Sequence, residues 1–100
     1  EQVRKTRRVN AQSDLLELAS YMERYYTENF TYAGASLPFD ESPKSGDGTK
    51  YYDLSIAASN ATSYRLAATP KNAQSDDRCK TLTVNHRGEQ KTTSNANNCW

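Results

Sequence analysis

The sequence predicts an α+β domain in which one long N-terminal α-helix packs on a three- to four-stranded antiparallel β-sheet. Three observations point there. Apolar residues recur at three- and four-residue spacing along the first quarter of the chain. From residue 51 the pattern changes to the two-residue alternation of strands, in short runs divided by turn residues. The chain has two cysteines, Cys79 and Cys99, and both fall near its end.

Residues 3 to about 28 read as helix. Ala11, Leu15, Leu18, Met22, Tyr25 and Tyr26 form the apolar stripe, and Leu16 and Ala19 widen it. Glu17, Arg24 and Glu28 fall on other faces. No glycine or proline intervenes before Gly34, and such a helix would be roughly 38 Å long. Its start is poorly built. The stretch "EQVRKTRR" offers no capping side chain before Thr6. Arg4, Lys5, Arg7 and Arg8 stand at the end where the helix dipole disfavours positive charge. The apolar stripe fades before Val9. These features lead us to expect the middle of a longer helix; a frayed basic terminus is the alternative.

A loop follows. "GASLPFDESPKSGDGTK", Gly34 to Lys50, holds three of the four glycines and two of the three prolines. It is longer than most connections, so it should pack on something or carry function. The preceding "ERYYTENFTYAGA" holds Tyr25, Tyr26, Phe30 and Tyr32, which are expected to fill the wedge between helix end, loop and first strand. "YYDLSIAAS" then alternates, with Tyr52, Leu54 and Ile56 on one face and Tyr51, Asp53 and Ser55 on the other. "SYRLAATP" turns Tyr64, Leu66 and Ala68 to one side. "KNAQSDDR" is a polar loop, and "KTLTVNH" presents Leu82, Val84 and His86 inward. "RG" turns the chain into a short fourth strand, Glu89 to Thr93. The tail "SNANNCW" has no periodicity and is expected to be held by Cys99.

Composition bounds what such a domain can do. With 35% apolar residues, the core of this one small domain must draw on tyrosine. The net charge is +1, split between +3 on residues 1 to 8 and −2 on the rest. That gives no general push toward nucleic acid or membrane. Paired as a disulfide, the two cysteines would stabilise the fold by roughly 3 kcal/mol and place it outside the cytoplasm; two unrelated buried thiols are the alternative. Without CxxC and with a single histidine, metal-ligand spacing is missing. Asp40, Glu41 and Asp47 could gather around calcium, but their spacing is not an EF-hand loop. His86 has no acid or base partner at a suggestive spacing, and no GxSxG, HExxH or P-loop occurs. An enzyme is not expected, nor a cofactor. The sequons at Asn29 and Asn60 are within chance for a chain this rich in Asn and Thr.

The stretch "AQSDLLELASYMERYYTENFTYAGASLP" resembles the second half of the N-terminal helix of type IV pilins and the start of their αβ-loop. Its "ERYY" and "TYAGA" are similar to the PilE-type minor pilins and their competence-pilin relatives. "YYDLSI", "SYRLAATPKNAQSDDRC", "LTVNHRGEQKT" and the closing "CW" keep that order, so the resemblance runs over about residues 9 to 100. It implies one pilin head domain over residues 1–100. Residues 1–28 would be the second half of the helix, 29–50 the αβ-loop and 51–93 the antiparallel sheet. Residues 79–99 would be a D-region bounded by the Cys79–Cys99 disulfide. It also implies a missing hydrophobic segment that anchors the subunit in the inner membrane, facing the periplasm, until it enters an extracellular fibre. Prepilin processing and methylation of the mature N terminus belong to that implication.

The leading function implied is a structural minor pilin that joins, or primes assembly of, a type IV pilus serving adhesion and twitching motility. Its partners would be other major and minor pilins. Arg4, Arg7, Arg8, Lys80, Arg87 and Lys91 are the candidate contacts to neighbouring subunits or a ligand. A competence pilin that binds DNA for uptake is the rival. Lys71, Arg78, Lys80, Arg87 and Lys91 would then form its basic surface, but Asp76, Asp77 and Glu89 interrupt it. Trp100, the candidate for base stacking, is expected to pack on the domain. DNA is therefore not the favoured partner. A type II secretion pseudopilin is a further alternative, against which the two cysteines count because those domains often use calcium instead.

Overall fold

Helix α1 runs from Gln2 to Asn29 in the computed structural model, which describes residues 2–43, 48–94, 99 and 100. The apolar stripe decides its orientation: Ala11, Leu15, Leu18 and Met22 are fully buried. Each large side chain of that set contributes about 1.5–3 kcal/mol by leaving water. The sheet beneath comprises β1 (Glu41–Ser42), β2 (Tyr52–Ser59), β3 (Tyr64–Pro70), β4 (Leu82–Asn85) and β5 (Gln90–Thr92). It is antiparallel throughout, with the strands in chain order. The register aligns the inward residues in rows, Leu54–Ala68–Leu82 and Ile56–Leu66–Val84. Helix α1 lies across β3 and β4 and reaches β1.

Among the described residues five strands form where three or four were expected. The additional one, β1, lies inside the stretch read as loop, and two residues are too few to show a period. Tertiary contacts make it a strand. The Ser42 hydroxyl donates to Asp14 Oδ2 of the helix at 2.7 Å, and both residues are buried. The Leu54 N–H donates to the Asp40 carbonyl at 2.8 Å. Lys71 pairs with Glu41 and, at 2.7 Å, with Asp53, tying the edge to β2. In β2 the register shifts between Ile56 and Ala58. This bulge leaves Ala57 extra and breaks the alternation after Ile56.

The aromatic wedge forms only in part. Tyr32 is buried between Tyr26 and Tyr64, with ring centroids 4.7 and 4.9 Å away. Phe30, expected beside it, is 80% exposed. Backbone geometry is the reason: Phe30 ends the helix at φ 59, a left-handed turn, while its N–H still donates to the Tyr26 carbonyl at 2.7 Å. The reversal turns its ring outward and carries Tyr32 back under Tyr26. Tyr25 likewise stays outside the core cluster, and its hydroxyl donates to the Ala33 carbonyl at 3.2 Å. His86 is half-buried just past the end of β4, its ring 6.4 Å from Tyr64.

A tyrosine-rich core has a consequence at high pH. Burial pushes the Tyr52 hydroxyl up to about 12, and burial also raises Tyr64 and Tyr32. A folded-state value above the unfolded one, about 10, means the folded state holds its proton longer. The stability from Tyr52 is thus complete below pH 10 and lost as pH rises through about 12. A far-UV circular dichroism titration should show cooperative unfolding in that window, shifted to higher pH in Tyr52→Phe.

Candidate interaction site on the sheet and helix

The sheet's outward face is built from the positions that alternate with the core. Ala67, Thr83 and Lys91 lie side by side across β3, β4 and β5, with Arg65 beside Asn85 in the next row. The bulged Ala57 joins them. Small side chains at Ala57, Ala67 and Thr83 leave a depression of about 480 Å³, bordered by the long Arg65 and Lys91. Glu89 is its acid. The Asn85 amide donates to Glu89 at 2.6 Å and, with the nearby charges of Lys91 and Arg87, holds its carboxyl below the usual range. Two cations and several hydroxyls make this surface a donor for anionic groups.

Arg65 was missed as a site residue, although the alternation that turns Tyr64 and Leu66 inward already puts it outside. Lys80 is exposed at φ 56, and Arg87 is exposed in the tight turn after β4, where Gly88 takes φ 76. The expected basic cluster is rearranged. Lys71 is engaged by Glu41 and Asp53, and Asp77 is fully buried and leaves the surface. Trp100 is half-buried, and its indole N–H donates to the Lys91 carbonyl at 2.9 Å.

The N-terminal bases divide in the same way. Arg7 lies over the Tyr51 ring at 3.8 Å, a cation–π contact. Arg4 is half-buried. Arg8 is only 2% exposed and pairs with Asp77, so it is not a contact for a neighbouring subunit, as the sequence had suggested. Its position on the core stripe carries it inward, and Asp77 supplies the charge without which a buried guanidinium is untenable. Of the suggested calcium ligands, Glu41 is paired with Lys71, and Asp47 lies outside the described residues. Among the described residues no group of three metal-ligating side chains forms.

Cys79 and Cys99 are bonded, with Cα atoms 5.8 Å apart. On the helix side opposite the core, Val9, Ser13, Leu16 and Ser20 form an exposed, uncharged line. No helix among the described residues is long and apolar enough to cross a membrane.

A family model described as type IV minor pilin ComP, DNA uptake sequence receptor, matches residues 1–83. The fold is similar to that of the Neisseria meningitidis non-core minor pilin PilV, with a TM-score of 0.72 and 22% identity, over 98% of this chain and 94% of that one. A type IV pilin from Shewanella oneidensis is 31% identical, with a TM-score of 0.66 over 97% of each chain. No curated protein matches the chain. With most of its length matched by that family model, and a pilin fold from helix to disulfide, the chain belongs to the type IV minor pilins.

Proposed function

We propose that this protein is a structural subunit that enters, or starts, a type IV pilus by packing the outward face of α1 against helices of other pilins. One observation carries this reading. Val9 and Leu16 are 50% and 48% exposed, seven residues apart on one line with Ser13 and Ser20. Single exposed aliphatics are ordinary. Two on one uncharged line, two turns apart, have the spacing that helix–helix packing uses. Adhesion and twitching motility would follow as activities of the fibre. The subunit would wait at the inner membrane, facing the periplasm, on a preceding hydrophobic segment. The test is Val9→Arg and Leu16→Arg in cells. Surface fibres should be lost or fewer, while the purified domain keeps its stability to within about 0.5 kcal/mol. Normal piliation with both changes would refute the reading.

A second reading is DNA capture, supported by the description of the family model and by the cationic border of the outer sheet face. Duplex binding should weaken steeply with salt and be lost in Arg65→Glu with Lys91→Glu. A wild-type domain that shifts no duplex at low salt would remove it.

A further inference from the structure

We infer that the last two residues, Cys99 and Trp100, form a strap that couples α1 to β5, so that the helix and the Lys91 side of the sheet respond to one another. Gln12 Nε2 donates to the carbonyl of Cys99, and the Trp100 indole N–H donates to the carbonyl of Lys91 at 2.9 Å. Adjacent residues therefore hold one bond to the helix and one to the sheet's last strand. Cys99 is buried, and Trp100 packs partly on the core. The other end of the disulfide is also tied to the helix. Arg8 pairs with Asp77 Oδ1 at 2.5 Å, and Asp77 Oδ2 accepts the Cys79 N–H at 3.3 Å. One turn earlier, the Arg4 carbonyl accepts Gln74 Nε2 at 3.0 Å. Arg4, Arg8 and Gln12 follow one another at four-residue spacing and so share a line on α1. That line reaches Gln74, Asp77 and Cys99 in order.

The disulfide alone does not account for this arrangement. It fixes the separation of the two cysteines, whereas the direction in which Trp100 leaves Cys99 depends on the bonds at Gln12 and Lys91. Strand β5 is three residues long, and among the described residues β4 is its one strand neighbour. A short edge strand of this kind opens easily, so a second tether at Lys91 changes how often it does. The strap belongs to the single chain and stands whether or not the filament reading holds.

Amide hydrogen exchange on the oxidised monomer tests it, with Trp100 as the sole tryptophan reporter. In Gln12→Ala, the Thr83 and Lys91 amides should exchange faster, on the order of ten-fold, while Leu54 and Leu66 keep their wild-type rates. Trp100 emission should shift to the red, with no free thiol detected. Trp100→Phe, which removes the indole donor and keeps a ring, should reproduce the exchange pattern and serves if Gln12→Ala folds poorly. Unchanged exchange at Thr83 and Lys91 in both variants would overturn the strap. So would an equal acceleration at Leu54 and Leu66, because that reports global destabilisation and no coupling.

Discussion

Asp77→Ala is expected to destabilise the domain by about 3–5 kcal/mol, the usual consequence of removing one partner from a buried ion pair. The Asp77 side chain is fully buried and that of Arg8 is 3% exposed, so the guanidinium left behind has little water to turn to. The Cys79 N–H loses its carboxylate acceptor at the same time. For a domain of this size the melting temperature should fall by roughly 15 °C or more, read by circular dichroism on the oxidised protein. Replacing both partners, Arg8→Met with Asp77→Leu, should recover much of the loss, because neither charge of the pair is then left buried without the other. A fall of less than about 1 kcal/mol in Asp77→Ala would show that water solvates the pair.

Leu15→Ala should be nearly as damaging, at about 3 kcal/mol, from lost burial plus the cavity left behind. The neighbouring Leu16 is the control. Leu15 is fully buried in the cluster with Leu18, Leu66 and Leu82, whereas Leu16 is half-exposed on the opposite side of α1. Leu16→Ala should change stability by no more than about 0.5 kcal/mol. Urea unfolding of the two variants side by side decides it. Comparable losses would mean the helix is rotated relative to the face described.

Leu15 and Leu16 also show how far local pattern reaches. The stripe through Ala11, Leu15, Leu18 and Met22 was legible because one helical period selects one face. Strands β2, β3 and β4 were legible for the corresponding reason: alternation put Tyr52, Leu54, Tyr64, Leu66, Leu82 and Val84 on the same side, and all are buried. The outer sheet face could be read as the complement of that pattern, although Arg65 was passed over. Strand β1 could not be read, since two residues carry no period and its pairing depends on Asp14, 28 positions away.

The sequence by itself determined the helix stripe, the alternation of the central strands and the supply of two cysteines near the end, because periodic burial of apolar side chains is written locally. Only the tertiary structure decided the fates of Arg8, Phe30 and Asp77. Burying a charge requires a partner, and the partner of Arg8 lies 69 positions away. Phe30 is apolar enough for the core, yet the left-handed backbone that ends α1 turns it to solvent. Apolar residues need only one another, in any order. Polar ones need a particular group at a particular distance, and the folded chain alone brings the two together.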